Sequence, residues 1–169
     1  MRRITISREK FNAVYVPYLF DEHRYQVFFG GAASGKSAFL AARAVIGALG
    51  GRNTLIVRKV GARIRASCWN ETLKAIDRLG LAGRFRVNKS DGVIEAPCGA
   101  QILFTGVDNA EKIKSVSPRR GALTDIWIEE ATELNYEDYK QLDKRLRGIS
   151  KYKKRMTLSF NPAGKDHWL

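Results

Sequence analysis

The residues with the clearest chemical potential form the glycine-rich sequence GGAASGKS at positions 30–37. This sequence fits the pattern G-x-x-x-x-G-K-[ST], in which glycines allow backbone N–H groups to turn inward around phosphates. Lys36 would contact the β- and γ-phosphates of a nucleotide, and the Ser37 hydroxyl would ligate Mg²⁺. A glycine-rich turn that matches by chance is the alternative. The pattern predicts that ATP and Mg²⁺ are bound here by Gly30, Gly31, Ala32, Ala33, Ser34, Gly35, Lys36 and Ser37.

Two adjacent carboxylates, Glu129 and Glu130, end the apolar run LTDIWIEE. Beside a bound Mg²⁺–nucleotide, one acid can hold the metal ion through water while a second polarises the attacking water. We assign Glu129 to the metal ion and Glu130 to the water. Asp125 is the alternative metal acid, but it would lie about 13 Å below Glu129 on an extended strand. Both glutamates could instead simply stabilise the N-terminus of the following helix.

Further polar residues follow the last apolar run, in the sequence SFNP at positions 159–162. Ser159 or Asn161 could hydrogen-bond a γ-phosphate, although the chemistry alone favours a plain turn that starts at the Asn-Pro pair. Three residues upstream are candidates to pack on the adenine ring, and a surface turn explains them equally well: Tyr15, Pro17 and Tyr18. Cys68 and Cys98 lack metal-ligand spacing and are interpreted as structural thiols in a reducing environment.

Strands that alternate with helices must position these motifs. Apolar residues recur at helical spacing after the glycine-rich loop, and two glycines end that helix at positions 50 and 51. Strand-like runs occupy residues 25–29, 54–57, 85–96, 101–105, 123–128 and 155–160, and further helices are predicted at 67–79, 110–114 and 136–146. The sequence PCGA favours an antiparallel hairpin between two of the strands. The order predicts an α/β fold with a mostly parallel central sheet, flanking helices and a ligand site at the carboxyl ends of the strands.

Composition favours a polyanionic partner. The 169 residues suffice for one domain, and 30 Lys and Arg against 17 Asp and Glu give a formal net charge of +13. The basic residues form three groups: Arg58, Lys59, Arg63 and Arg65; Lys112, Lys114, Arg119 and Arg120; and those at 140–155. Such groups would bind DNA phosphates without sequence preference, or serve as solvated faces. No apolar stretch suggests a membrane span or secretory signal, so we expect a soluble, intracellular chain.

An ordered set of motifs between residues 25 and 169 resembles the large subunit of tailed-phage terminases, the motors that package viral DNA. These motifs are FFGGAASGKS, VRKVGARIRASCW, IWIEEATEL with the RLRG that follows, and LSFNPAGKDHW. The resemblance implies a RecA-like P-loop ATPase domain with an additional catalytic glutamate. In it, residues 30–37 would be the Walker A loop, Glu129 and Glu130 the Walker B and catalytic acids, and Ser159 and Asn161 part of the coupling motif. The implied partners are double-stranded DNA, a homo-oligomeric ring on a procapsid portal and the terminase small subunit, in the host cytoplasm.

Two departures from the family pattern affect these expectations. Many such proteins carry an arginine within the Walker A loop, whereas residues 31–34 here are GAAS. Arg119 or Arg120, in SVSPRRG, is therefore a candidate to reach the ATP of a neighbouring subunit, and a solvated loop or a DNA contact is the alternative. The family also has a C-terminal nuclease domain, so we interpret residues 1–169 as an ATPase domain, incomplete at its C-terminus, that does not cut DNA.

Two hypotheses for the function remain open at the level of sequence. The first is a DNA-translocating ATPase of the packaging type, with helicase-like motors as its nearest alternative. The second is a binding module in which ATP gates assembly on DNA with little turnover. The second acid, Glu130, favours hydrolysis, because a pure nucleotide switch does not need it.

Overall fold

One mixed sheet organises the protein. The computed structural model describes residues 4–108, 113, 115–162, 164 and 167–169. Its strands are β1 (Tyr25–Phe29), β2 (Thr54–Arg58), β3 (Arg86–Asn88), β4 (Val93–Glu95), β5 (Gln101–Gly106), β6 (Asp125–Glu129) and β7 (Arg155–Phe160). They are ordered β1-β7-β6-β2-β5-β4-β3, and the five from β1 to β5 in this order are parallel to one another. The predicted mixed α/β fold with a mostly parallel sheet is confirmed.

Helices cover both faces of the sheet. They are α1 (Lys36–Leu49), α2 (Gly61–Ile64), which runs through a π-helical segment (Arg65–Trp69) into α3 (Asn70–Arg78), and α4 (Tyr136–Asp143). Alternate residues of the central strands enter opposite cores: Ile56 and Trp127 face α1 and α3, while Leu55 and Ile128 face the side that contains Leu142 of α4. Because both faces are buried, these strands are continuous apolar runs in the sequence. None of the described helices is long and apolar enough to cross a membrane.

The predicted hairpin is confirmed, but its first segment divides into two strands. β4 pairs antiparallel with β5, and Gly99, with a φ of +85°, allows the intervening turn. The segment at 85–96 is itself interrupted at Gly92, with a φ of +63°, so that β3 and β4 form another antiparallel pair. A turn closed by side chains explains the interruption, since Asn88 accepts a hydrogen bond from the backbone N–H of Asp91.

Two predicted helices have different bounds in the structure. The helix predicted at 67–79 is longer, because α2 and the π-helical segment precede α3 without a break. The helix predicted at 136–146 ends earlier, at Asp143. The helix predicted at 110–114 lies almost entirely outside the described residues, as do Lys112 and Lys114.

Asp125 lies at the amino end of β6, away from the strand ends where the polar motifs meet. Its carboxylate binds Arg155 Nε at 2.5 Å and Arg52 Nη1 at 3.2 Å, and all three side chains are at most 10% exposed. This buried ion cluster occupies Asp125 fully and joins the starts of two neighbouring strands. The carboxylate therefore has a structural role at the end of the sheet where β6 begins.

We expect Asp125→Asn to lower the free energy of unfolding by about 3 kcal/mol, because it leaves two buried guanidinium groups without their counter-charge. Asp143→Asn is the matched control: its ion pair with Arg24 is about one-third exposed, so less than about 1 kcal/mol should be lost. Urea unfolding measures both. Equal values for the two variants would contradict the structural role of Asp125.

Candidate functional site at the carboxyl ends of the strands

The polar motifs predicted from the sequence meet in one cavity of about 340 Å³. Strand register brings them together: Phe29 is level with Phe160 and Glu129 with Ser159, so the segments that follow these strands emerge at one edge of the sheet. The cavity is lined by residues of the glycine-rich loop and the start of α1, by α3 and by the ends of β6 and β7: Ala32, Ala33, Ser34, Gly35, Lys36, Ser37, Ala38, Glu71, Glu129, Glu130, Ser159, Phe160 and Asn161.

The glycine-rich loop leads directly into helix α1. Gly35 adopts a left-handed conformation, with a φ of +84°, immediately before the first helical residue, Lys36. This geometry turns the chain so that the N-terminus of a 14-residue helix opens into the cavity, where its backbone N–H groups and dipole favour an anion. The Tyr15 hydroxyl donates to the carbonyl oxygen of Ser34 at 3.0 Å and so anchors the loop from outside.

Lys36 is a buried cation that contacts only neutral acceptors among the described residues. Its Nζ donates to the carbonyl oxygens of Gly30 (2.8 Å) and Gly31 (3.0 Å), to Ser34 Oγ (3.0 Å) and to Asn161 Oδ1 (3.3 Å). The side chain is charged yet the residue is only 8% exposed. A phosphate in the cavity would supply the negative charge that these acceptors lack.

Glu129 ends β6 with its side chain buried against the π-helical segment. The Cys68 thiol donates to Glu129 Oε2, with 2.7 Å between Sγ and the oxygen. Burial, together with the neighbouring Glu129 carboxylate, raises the pKa of Cys68 well above its usual range, so the thiol keeps its proton and remains a donor. The sequence indicates only a structural thiol, and no sequence signal pairs Cys68 with the acid.

Glu130 has a left-handed backbone, with φ +50° and ψ +54°, which is uncommon for a residue other than glycine. Consecutive residues of a strand point to opposite faces, so a turn at this position is what allows Glu129 and Glu130 to line the same cavity. Such a conformation costs about 1–3 kcal/mol and is typical of functional sites. The capping alternative fails for α4, whose N-terminus is capped by Asn135 and Asp138.

The two residues predicted to follow β7 differ in their surroundings. Ser159 is 2% exposed, and its Oγ accepts from Trp127 Nε1 at 2.9 Å and donates to the Ile128 carbonyl oxygen at 3.5 Å. Asn161 is exposed and contacts Lys36 directly. Asn161 is therefore the residue of this pair with a polar group free to exchange its partner for a phosphate.

Arg119 and Arg120 lie at the opposite edge of the sheet and take no part in this cavity. The backbone carbonyl of Arg120 accepts a hydrogen bond from Asn53, which directly precedes β2, and the Arg119 guanidinium is 4.0 Å from the carboxylates of Asp91 and Glu95. Any contact with a nucleotide from these arginines would have to be made with the site of another subunit.

The first basic group is largely neutralised within the chain. Arg58 and Arg63 share the Glu133 carboxylate at 3.1 and 3.2 Å, and Lys59 binds Asp138 at 2.6 Å. Hydrogen bonds to Glu133 raise the pKa of Arg58, with further contributions from Glu129 and Glu130. These cations therefore stabilise the segment that follows β6.

Sequence analysis misses Glu71, which reaches the cavity from α3. Its carboxylate is 3.9 Å from Arg78 and 3.8 Å from Lys74 on the same helix. A glutamate in an amphipathic helix carries no signal that would distinguish it from an ordinary surface ion pair.

The residues in the cavity fit a magnesium ion held jointly with a nucleotide. Mg²⁺ is usually bound by one or two protein oxygens plus substrate phosphates and water. Ser37 and Glu129 offer a hydroxyl and a carboxylate in the same cavity. No group of three or more His, Cys, Asp or Glu residues that could hold a metal ion occurs in the described part of the chain, as expected if phosphates complete the coordination.

A mostly parallel α/β sheet with a polar cavity at its carboxyl edge defines the structural class of this protein. Within that class, the chain belongs to the phage terminase large subunit family, whose model matches residues 22–169. It is 33% identical over 162 residues to the PBSX phage terminase large subunit of Bacillus subtilis, and 30% identical over 119 residues to the large subunit of Bacillus phage SPP1. These matches cover 95% and 69% of this chain, but only 36% and 28% of the relatives.

Solved structures show the same fold at low sequence identity. The large terminase of a thermophilic bacteriophage matches with a TM-score of 0.72 and 13% identity, over 97% of this chain and 41% of that one. The bacteriophage HK97 large terminase matches with a TM-score of 0.63 and 10% identity, over 94% of this chain and 34% of that one.

Proposed function

We propose that residues 1–169 form an ATPase domain of a terminase large subunit, of the RecA-like P-loop type with an additional catalytic glutamate. In this proposal the domain hydrolyses ATP to ADP and phosphate with Mg²⁺ and drives double-stranded DNA into a procapsid. The observation that carries it is the single cavity shared by the glycine-rich loop, the two acids and Asn161. The thermophilic phage relative was solved in complex with ADP and with ATP-γ-S, which supports a nucleotide ligand.

Each side chain has a distinct part in this mechanism. Lys36 exchanges its neutral acceptors for the β- and γ-phosphate oxygens, and loop N–H groups bind the same phosphates. Ser37 and Glu129 would hold Mg²⁺, which supplies a Lewis acid to the phosphates when bound. Glu130 orients the attacking water and accepts its proton, while Asn161, released by Lys36, hydrogen-bonds the γ-phosphate.

A second cavity of about 160 Å³ suits the nucleoside. It adjoins the first, with Gly35 and Ala38 shared between them, and Lys10, Phe11, Asn12, Tyr15, Phe39 and Arg78 complete its lining. Tyr15 stacks on Phe39, with 4.9 Å between ring centroids, and so faces this space with an aromatic wall. Of the predicted adenine contacts we retain Tyr15, because Pro17 and Tyr18 do not line this cavity.

The proposed partners follow from the family and from the charge. Double-stranded DNA would be bound non-specifically, and subunits would form a homo-oligomeric ring on a portal, with the small subunit as a further partner in the host cytoplasm. Since residues 31–34 offer no arginine, Arg119 or Arg120 would act on the ATP of a neighbouring subunit. We propose no nuclease activity for residues 1–169.

Nucleotide binding tests the site itself. We expect Lys36→Ala to weaken ATP-γ-S binding about 10- to 100-fold, because hydrogen bonds from a buried ammonium to phosphates are lost. Lys74→Ala is the matched control on the neighbouring helix, with its side chain 71% exposed, and should bind like the parent. Fluorescence titration measures the affinities. Parent-like binding by Lys36→Ala would exclude the loop as the phosphate site.

The metal role of Glu129 gives a separate expectation. Glu129→Gln keeps the size of the side chain but removes the charge that would hold Mg²⁺, so the Mg²⁺ concentration for half-maximal hydrolysis should rise about 10- to 100-fold. Activity should recover in part at saturating Mg²⁺. A Mg²⁺ titration of both proteins measures this, and an unchanged midpoint would remove Glu129 from the metal site.

DNA affinity should fall steeply with salt. Contacts to phosphates release counterions, so log K declines linearly with log salt concentration at a slope of about −0.9 per contact. Titration of double-stranded DNA at two ionic strengths, with two unrelated sequences, measures both salt dependence and sequence preference. Affinity that is insensitive to salt, or that differs strongly between the sequences, would contradict non-specific binding.

A further inference from the structure

Buried amide side chains at the amino ends of β2 and β5 hold the loop that carries Arg119 and Arg120. Gln101, the first residue of β5, is 1% exposed, and its Oε1 accepts a hydrogen bond from the backbone N–H of Arg119 at 2.8 Å. Asn53 donates from Nδ2 to the carbonyl oxygens of Arg120 at 2.8 Å and Ala122 at 3.1 Å. The loop is thus tied to the sheet on both sides of the arginine pair.

The two amides are also joined to each other and to the β3–β4 hairpin. The backbone N–H of Gln101 donates to Asn53 Oδ1 at 2.9 Å, and Gln101 Nε2 donates to Glu95 Oε2 at 2.9 Å. Every polar atom of the two side chains therefore has a partner. Burying an amide is costly unless it is fully hydrogen-bonded, and a fully bonded network fixes one geometry for the backbone it touches.

The Arg119 side chain has the opposite character. It is 65% exposed, and its only ion pairs among the described residues are the 4.0 Å contacts to Asp91 and Glu95. Arg155, by contrast, is buried against Asp125. Arg119 thus has a rigid backbone and an end that is free to contact another molecule.

We propose that Gln101 is a positioning residue for Arg119: it fixes the backbone from which the guanidinium reaches the nucleotide of the neighbouring subunit. This inference rests on the proposed action of Arg119 in trans. A displacement of about 1 Å in a reacting arrangement costs on the order of 10²-fold in rate. Loss of the Gln101 acceptor should therefore lower the turnover that a donated arginine supports by about 10- to 100-fold.

A mixture of two full-length subunits tests the proposal. The donor carries Lys36→Ala and cannot use its own site, while the acceptor carries Arg119→Ala and needs an arginine from its neighbour. Adding Gln101→Met to the donor should lower the phosphate release of the mixture 10- to 100-fold. Adding it to the acceptor should change nothing, because the acceptor's loop donates no arginine. Equal losses on both sides, or no loss from the donor, would overturn the positioning role.

A second variant tests the hydrogen bond itself. Gln101→Glu combined with Glu95→Gln exchanges the carboxylate and the amide, so that an oxygen still accepts from the Arg119 backbone N–H and an amide still bridges to it. In the donor this pair should retain most of the activity, whether or not Gln101→Met folds, and its failure would count against Gln101. If the mixture of the two starting variants is inactive, the action in trans fails, and this inference fails with it.

Discussion

Glu130→Gln should lower ATP turnover by about 10² to 10⁴ while ATP-γ-S binding persists. The amide keeps the size of the side chain and the strained backbone at φ +50°, but it cannot accept a proton from the attacking water. Because nothing that contacts the bound phosphates is removed, the loss should lie in turnover and not in affinity. Phosphate release under saturating Mg²⁺ and a nucleotide titration measure the two quantities.

Glu137→Gln is the matched control for this substitution. Glu137 lies on α4 close in sequence, is 71% exposed and pairs only with Lys140 among the described residues, so the parent rate should be kept. If Glu130→Gln also hydrolyses ATP at the parent rate, the catalytic acid is wrongly assigned. Glu71, which lines the same cavity, would then be the next acid to test.

Arg119→Ala combined with Arg120→Ala should lower the turnover of an assembly of full-length subunits by about 10³ to 10⁵, the range known for arginines supplied to phosphoryl transfer. The structure offers the physical reason, since residues 31–34 of the loop carry no arginine and the transferring phosphate needs an added positive charge. An isolated subunit should be slow with or without these arginines. Comparing turnover before and after assembly measures the effect.

Mixing separates action in trans from a structural defect. The double arginine variant and Lys36→Ala should each be inactive in a pure assembly and active together, because the second supplies the arginine and the first supplies an intact loop. Arg84→Ala, an exposed arginine outside this loop and both cavities, is the control and should leave turnover unchanged. Continued inactivity of the assembled mixture would leave the arginine pair as a DNA contact or a solvated loop.

Chemistry at strand ends was predictable from the sequence because it depends on local patterns. Residues 30–37 lie between an apolar run and a helical pattern, and the parallel sheet then requires the ends of β6 and β7 to emerge beside them. The same reasoning places Asp125 at the far end of β6, where the structure shows its ion cluster. Periodicity and strand direction were sufficient for these conclusions.

Contacts between distant residues were not predictable in this way. Cys68 meets Glu129 only because a π-helical segment shifts the register between α2 and α3, and no residue pattern marks such a segment. Glu71 reaches the cavity for the same reason of helix placement. The left-handed turn at Glu130 was equally hidden, since the sequence has glutamate where glycine would be expected.

Phosphate release by the purified protein, with and without double-stranded DNA, tests the central claim most directly. We expect Mg²⁺-dependent release of phosphate from ATP that is abolished by Lys36→Ala, is kept by Lys74→Ala and increases when DNA is added to assembled subunits. Release that is absent in every condition, although ATP-γ-S still binds in a manner that depends on Lys36, would contradict the account and indicate an ATP-gated binding module.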